Sequence, residues 1–461
     1  MKIATVPYLL LGAFATLGAA IQLPNLASTS TPELVTSPPA VVTTSPDGNV
    51  TLKAELERTH LPAGLPQEVF ARIQIEGIDD PEKAKERLPI DLTLVIDTSG
   101  SMSGQKMKDA ISASKKAVRK LAPGDHLRVI QFSSSAKLIY DHQVFPGNIE
   151  TVAFLDGLHA GGGTNMREAF NLAESSVSSS KYDVRRVLVV GDGHPDTQRG
   201  LKEVTARLAQ RGVVTSTVGI GEGYNEDLMA EIADKGTGNY QFAEKGPALE
   251  EFFRKELQDM KAVVARNAKL VLRGPIKEVI GYTSTTIHGG QMVLLGDIVA
   301  GRPLHLLVKL QANAGDVNSL QKLLQPTLRY EATQDSASGA LRPTRELKHA
   351  PLIATFVASE KESVATENAS VVVQAEKLRT AQALIAANEY YNRGELKKAE
   401  AHLIRQQKVL QKQSARYGSR ALANEATEMN QILDDNRRGT SSRRTFNNMM
   451  KNKSWKMSRG Q

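Results

Sequence analysis

Two apolar segments that each end in an aspartate constrain the fold of this chain more than any other feature. Residues 88–96 read Leu-Pro-Ile-Asp-Leu-Thr-Leu-Val-Ile and lead into Asp97, and residues 187–190 read Val-Leu-Val-Val and lead through one glycine into Asp192. Helical segments alternate with such strand-like runs, and residues 105–121 carry apolar side chains at helical spacing. This alternation predicts an α/β fold with a mainly parallel sheet between helices, whose sites lie at the carboxyl ends of the strands.

Hydroxyl side chains accompany both aspartates in a pattern typical of a divalent-cation site. Ser99 and Ser101 follow Asp97 directly, and Thr164 lies in the glycine-rich segment Gly-Gly-Gly-Thr-Asn. The segment Asp-Thr-Ser-Gly-Ser by itself is also ordinary turn chemistry, so the prediction depends on the later threonine and on Asp192. Carboxylate and hydroxyl oxygens are hard ligands, which favour Mg²⁺, Mn²⁺ or Ca²⁺, whereas thiolate and imidazole select softer metals.

These three segments, in this order and spacing, resemble the metal-ion-dependent adhesion site of the von Willebrand factor type A (VWA) family. The resemblance covers residues 89–258 and includes strand-like and helical segments outside the site. It implies that the metal is held by Asp97, Ser99, Ser101, Thr164 and Asp192. It also implies a divalent cation, Mg²⁺ ahead of Mn²⁺ or Ca²⁺, with one position open to an Asp or Glu carboxylate of a protein partner. One departure is Gly191, where many relatives carry Thr or Ser.

Strand-like segments on both sides of residues 89–258 predict a second domain. Residues 49–88 contain too few strands to be stable alone, and residues 259–360 contain several short strands separated by Gly and Pro. We therefore expect the two segments to pair in one antiparallel β-sandwich, with the VWA-like domain inserted in it. A C-terminal α-helical hairpin or three-helix appendage is predicted over residues 371–436, either to pack on the sandwich or to dock a partner. In the insertion of a VWA domain into a β-sandwich, the chain resembles exported bacterial VWA proteins labelled calcium-activated chloride channel homologues. No segment of the sequence predicts a transmembrane pore.

The first residues of the chain predict export. Residues 1–20 are a predicted signal peptide, with Lys2 before a mostly apolar stretch that ends in small residues. The alternative is an uncleaved membrane anchor, because the apolar stretch nearly reaches spanning length. Residues 21–48 are rich in Ser, Thr and Pro and predict an extended linker. The body is therefore expected in the periplasm, at the cell surface or secreted. The chain has no cysteine, which excludes disulfides and thiolate metal sites.

The formal net charge of +8 comes from the end of the chain. Residues 437–461 contain Lys and Arg but no Asp or Glu, and their charge accounts for the whole imbalance. Such a composition predicts a basic, disordered tail. The alternative is contact between this tail and an anionic membrane or polyanion, and specific nucleic-acid recognition is not predicted.

Together these features predict an exported, metal-dependent protein-binding module for adhesion or assembly, and not an enzyme. The sequence contains no zinc-binding histidine pair and no nucleophile elbow, and Gly-Ile-Gly-Glu-Gly at residues 219–223 lacks the full dinucleotide-binding pattern. Two alternatives stay open. One is a structural metal with partner binding through the C-terminal helices, and the other is a metal-dependent hydrolase.

Overall fold

The computed structural model describes residues 42–45, 48–78, 88–144, 148–192, 194–221, 224–333, 343–438 and 443–459. The predicted signal peptide and most of the predicted linker lie outside these residues. Within the described ranges, no helix combines the length and the apolar character that crossing a membrane requires.

The bounds of the elements are as follows. In chain order, the strands are β1 (Val42–Thr44), β2 (Val50–Leu56), β3 (His60–Pro62), β4 (Gln67–Gly77), β5 (Ile90–Asp97), β6 (His126–Phe132), β7 (Ala136–Gln143), β8 (Val184–Gly191), β9 (Val213–Ile220), β10 (Thr237–Ala243), β11 (Val263–Arg273), β12 (Ile276–Ile280), β13 (Ser284–Ile287), β14 (Gly290–Val299), β15 (Leu304–Ala312), β16 (Leu320–Ala332), β17 (Thr344–Lys348) and β18 (Leu352–Val357). The α-helices are α1 (Gln105–Val118), α2 (Met166–Ser178), α3 (Leu201–Gln210), α4 (Glu226–Lys235), α5 (Gly246–Lys261), α6 (Glu360–Val364), α7 (Ala369–Asn392), α8 (Leu396–Tyr417), α9 (Arg420–Arg438) and α10 (Arg443–Ser458).

The α/β domain is built on a six-stranded sheet in the order β10-β9-β8-β5-β6-β7. Neighbouring strands are parallel except β6 and β7, which are antiparallel. Strand β5 is buried along its whole length, because α1 and α5 cover one face of the sheet and α2, α3 and α4 cover the other. Ile96 of β5 pairs with Val190 of β8, so the loops after both strands leave the sheet at the same edge. The predicted α/β class is confirmed.

Two further sheets form the β-sandwich around a continuous apolar core. One has the order β1-β2-β4-β15-β12 and the other β13-β14-β11-β16-β18-β3, with β17 beside β16. Strand β4 precedes the α/β domain in the chain and β15 follows it, yet the two pair antiparallel along their length, with Ile75 opposite Leu304. The α/β domain is therefore inserted into the sandwich. Because β1 pairs with β2, the end of the predicted linker is part of a sheet.

The C-terminal helices pack on the sandwich and on one another. Val371 and Leu378 of α7 contact Ile280 and Leu307 of the first sandwich sheet. Helix α8 follows after a turn at Gly394, whose φ of +79° favours glycine, and α9 follows α8. Residues 369–438 thus contain the three helices α7, α8 and α9.

The structure corrects the prediction of a disordered basic tail. Residues Arg443–Ser458 form α10, in which Met450, Trp455 and Met457 are buried. The two methionines pack with apolar residues of α7, α8 and α9, including Leu384, whereas the tryptophan joins the apolar cluster of the α/β domain. Composition did not predict this helix because few apolar residues in a polar segment form its contact face, and their partners are distant in the sequence.

Candidate metal site

Strand β5 brings the first three candidate ligands to the edge of the sheet. Asp97 is its last residue and is fully buried, and the main-chain N–H of Ser99 donates to Asp97 Oδ1 at 2.8 Å. The hydroxyl oxygens of Ser99 and Ser101 are 3.0 Å apart. Ser99 is buried, whereas Ser101 is exposed. The three side chains therefore lie together, with Ser101 on the side that faces solvent.

The glycine-rich loop brings Thr164 to the same edge. The N–H of Gly100, between the two serines, donates to the carbonyl oxygen of Gly162 at 3.1 Å. The N–H of Thr164 donates to Asp196 Oδ2 at 3.1 Å, and the N–H of Asp196 donates back to the Thr164 carbonyl oxygen at 3.0 Å. These bonds hold the loop that carries Thr164 against the segment of Gly100 and against the segment of Asp196. No local pattern in the sequence marks Asp196 as part of this arrangement.

Gly191 explains how the second aspartate reaches the first. A Cβ atom at residue 191 would lie 2.6 Å from Asp97 Cβ and 2.8 Å from Asp97 Oδ2. Because neither distance is tolerated between non-bonded atoms, any other residue at this position would displace the Asp97 side chain. The absence of a side chain at residue 191 thus allows the main chain that leads into Asp192 to lie directly against Asp97.

Two buried carboxylate oxygens at this edge lack a hydrogen-bond partner. Asp97 Oδ2 and Asp192 Oδ1 are inaccessible to solvent, and neither has a partner in hydrogen-bonding geometry among the described residues. Burial raises the pKa of Asp97 to about 6, and the Asp192 charge adds to this rise, while hydrogen bonding from Ser99 opposes it. A buried carboxylate without a compensating charge is unfavourable, so these oxygens fit a bound cation.

The remaining donors at this edge are hydroxyl groups. Across the described ranges, no three His, Cys, Asp or Glu side chains cluster in a way that could hold a metal ion. The oxygen donors that the sequence predicts for this edge are the carboxylates of Asp97 and Asp192 and the hydroxyls of Ser99, Ser101 and Thr164. Such a set suits a hard cation that keeps part of its charge available.

The sequence of the domain identifies its family. A family model for the von Willebrand factor type A domain matches residues 91–255, which include strands β5–β10 and helices α1–α4. The chain contains a VWA domain. Domains of this type typically mediate protein–protein interaction, and they commonly bind a divalent metal ion.

Several known proteins resemble this chain over about half of its length. Protein sll0103 of Synechocystis is 31% identical over 229 residues, which are 48% of this chain and 54% of that protein. YfbK of Escherichia coli is 28% identical over 268 residues, which are 54% of this chain and 46% of that protein. The chain thus spans about half the length of these curated relatives. A solved von Willebrand factor type A structure from Catenulispora acidiphila covers 85% of this chain and 89% of its own, at 19% identity and a TM-score of 0.65, and shows the same fold.

Helix α1 of the VWA domain adds a basic group to the edge of the site. Lys106 Nζ lies 3.5 Å from Asp192 Oδ2. Gly221, at a φ of +71°, leaves room for the lysine stem, because a Cβ atom there would lie 2.9 Å from Lys106 Cε. A positive charge beside a metal ligand competes with a cation for that ligand. The position of this lysine at the start of the helix after the Asp-x-Ser-x-Ser motif was a signal in the sequence that could have revealed it.

Proposed function

We propose that the VWA domain binds a divalent cation, with Mg²⁺ as the expected ion, and uses it to capture an acidic group on a protein partner. The residues expected to hold the ion are Asp97, Ser99, Ser101, Thr164 and Asp192. The observation that supports this function most directly is the pair of buried carboxylate oxygens without partners, Asp97 Oδ2 and Asp192 Oδ1.

The donor set explains why such a site would bind an acidic partner. A divalent cation held largely by neutral hydroxyls keeps much of its positive charge, which attracts a carboxylate from outside the protein. Ser101 is exposed while both aspartates are buried, so a partner would approach from the serine side. The hydrogen bonds from Gly100 to Gly162 and between Thr164 and Asp196 hold the loops before binding, which lowers the entropic cost of association.

The proposed setting is adhesion or assembly outside the cytoplasm. The predicted signal peptide supports export, and the sandwich and helix α10 contact the VWA domain through Asp297 and Trp455. A purely structural cation, with partner binding through the C-terminal helices, is the competing function. The two differ in whether partner binding depends on the metal.

The site itself is tested by calorimetric titration of the full chain with Mg²⁺ and with Mn²⁺. We expect one site per chain in the wild type and no measurable binding after Asp97→Asn, because the substitution removes one of only two carboxylates. Glu203→Gln, an exposed carboxylate on α3, is the matched control and should bind as the wild type does. Equal affinities in all three proteins would show that the ion, if bound, lies elsewhere.

The partner is tested by retention from the envelope fraction on immobilised chain, with excess Mg²⁺ or with chelator. We expect a protein that is retained only by the metal-loaded wild type and is lost with Asp97→Asn. Replacing the acidic residues of that protein by their amides should then abolish its retention. If the partner is retained in every lane, binding belongs to the C-terminal helices and the cation has a structural role.

A further inference from the structure

We propose that helix α10 is an intramolecular clamp that positions the Asp192 loop of the VWA domain by holding helix α4. This inference rests on the proposed metal function for its consequence, but the clamp itself consists of contacts between described residues. Its partner surface consists of Glu226, Asp227 and Asp234 of α4 and of Tyr240 and Gln241 of β10.

Helix α10 contacts both ends of α4 through opposite charges. Lys451 Nζ lies 3.1 Å from Glu226 Oε1 and 2.6 Å from Asp227 Oδ1 at the first turn of α4. At the last turn, Asp234 Oδ1 accepts one hydrogen bond from Trp455 Nε1 at 2.8 Å and another from Arg459 Nη2 at 2.7 Å. Because one helix bonds both ends of the other, α4 cannot shift along its axis without breaking at least one of these contacts.

Strand β10 adds to the same surface. Lys456 Nζ donates to Gln241 Oε1 at 2.7 Å, and Arg459 Nη1 donates to the carbonyl oxygen of Gly238 at 3.3 Å. The Arg459 guanidinium also lies over the Trp455 ring, 4.6 Å from its centroid. Lys451 and Lys456 of α10, and Arg459 directly after it, thus bond to other residues of the same molecule.

A chain of direct contacts runs from α10 to the candidate metal ligand. The Trp455 ring packs edge-on against Tyr240, with centroids 5.9 Å apart, and the Tyr240 hydroxyl hydrogen-bonds the Tyr224 hydroxyl. The next residue, Asn225, caps α4, and its main-chain N–H donates to the carbonyl oxygen of Asp192 at 3.0 Å. One hydrogen bond therefore joins the start of α4 to Asp192, and its donor, Asn225, directly follows Tyr224 in the chain.

The interior of this path is closely packed, so it transmits displacement. Tyr224 and Tyr240 are both 1% exposed. Gly219 lies under the Tyr224 ring so closely that a Cβ atom there would be 2.3 Å from the ring carbons. Packed interiors have few voids, so a displacement of one tyrosine ring must also displace its neighbours. Movement of α10 is thus expected to change the position of Asn225, and with it that of Asp192.

The other face of α10 connects the clamp to the C-terminal helices. Met450 and Met457 pack in a cluster with Leu384 of α7, Leu403 of α8 and Leu433 of α9. Lys453 faces this side, with its Nζ 3.0 Å from Glu425 of α9. A partner that binds or shifts these helices would therefore act on the metal site through α10.

The test compares α10 variants of the full chain by Mn²⁺ titration and by hydrogen exchange of the Asn225 amide. For Trp455→Ala we expect a ~10-fold weaker Mn²⁺ affinity, a size typical of coupling between sites, with the number of sites unchanged. The Asn225 amide should exchange faster. Trp455→Phe, which keeps the ring contact, should recover most of the affinity, and Lys451→Gln should show a smaller loss.

Lys453→Gln is the matched control, because this lysine is on the same helix but contacts α9. It should leave both the Mn²⁺ affinity and the Asn225 exchange at wild-type values. Wild-type affinity and exchange in Trp455→Ala, or equal changes in Lys453→Gln, would overturn the clamp. If the wild type binds no Mn²⁺, the proposed metal function fails, and the Asn225 exchange of the metal-free variants still decides the clamp. Should Trp455→Ala not fold, Lys451→Gln against Lys453→Gln makes the same comparison.

Discussion

Among the buried carboxylates of the described residues, two pairs differ in what neutralises them. Glu256 of α5 and Asp297 of β14 share Arg186, whose guanidinium nitrogens lie 3.0 Å and 3.1 Å from the two carboxylates. Glu256 also accepts from the Ser216 hydroxyl at 2.9 Å and from the Asn239 amide at 2.6 Å. This pair is compensated by side chains of the protein itself.

The pair formed by Asp97 and Asp192 is not compensated in this way. Each has one buried oxygen without a partner, and the nearest cation is Lys106 at 3.5 Å from Asp192. Burial of charge is tolerated when opposite charge and hydrogen bonds surround it, as they do at Arg186. The first pair thus joins the VWA domain to the sandwich, whereas the second fits the proposed binding of a cation from outside the protein.

The largest effect is expected when the compensated pair loses its arginine. Arg186→Met leaves two buried carboxylates without a counter-charge, and breaking such a network typically costs ~3–5 kcal/mol of unfolding free energy. Denaturant unfolding measures this loss. Arg207→Met, which removes an exposed arginine paired with Glu174, should cost at most ~1 kcal/mol. Similar losses of unfolding free energy in the two variants would show that the buried arginine contributes no more to stability than the exposed one.

The opposite result is expected at the metal site. Asp97→Asn should leave the metal-free protein as stable as the wild type or more so, because the substitution removes an uncompensated buried charge. The substitution should lower stability relative to the wild type only when metal is present. At an ion concentration of 100 Kd the free energy of unfolding of the wild type should rise by ~2.7 kcal/mol, and that of the variant should not change. Thermal unfolding with and without Mg²⁺ checks both statements. A variant that is destabilised equally with and without the ion would identify Asp97 as a structural residue.

A smaller effect is expected from closing the space between the two aspartates. Gly191→Ala places a Cβ atom against Asp97, and such overpacking typically costs ~1–3 kcal/mol. We also expect weaker metal binding, since the Asp97 carboxylate must move. Gly157→Ala is the control, because a Cβ atom at that glycine meets nothing within 4 Å. Unchanged Mg²⁺ affinity in the Gly191 variant would show that the close approach of the two loops is not required.

The smallest expected effect is an increase in metal affinity. Lys106→Met keeps the length of the side chain and removes the charge that competes for Asp192, so metal affinity should rise by ~10-fold. The control is Lys108→Met, an exposed lysine on the same helix. Titration with Mn²⁺ compares them. A weaker affinity in Lys106→Met would mean that the lysine supports the site instead of competing with the cation.

Much of the VWA domain was predictable because its signals are local. Strand β5 is a continuous apolar run, and Asp97, Ser99 and Ser101 follow each other within five residues of its end. Strand β8 repeats the pattern before Asp192. In a parallel sheet the carboxyl ends of neighbouring strands meet at one edge, so two local patterns were enough to predict one site. The insertion into the sandwich was predictable because residues 49–88 hold too few strands to be stable alone.

Other features depend on contacts between residues that are distant in the chain. No residue near Arg186 in the sequence indicates that its partners are Glu256 and Asp297. Likewise, no residue near Trp455 indicates that its side chain contacts Tyr240 and Asp234. Helix α10 has the composition of a solvated tail, because a helix held by a narrow contact face needs only a few apolar residues.

Local sequence was thus sufficient to specify the candidate ligands, the parallel sheet and the edge where they meet, since propensity and periodicity act over a few residues. The need for glycine at residue 191, the neutralisation of one acid pair but not of the other, and the attachment of α10 to α4 became visible only in the folded molecule. Each depends on which surfaces come within a few ångströms of one another, and close packing sets that for the whole chain at once.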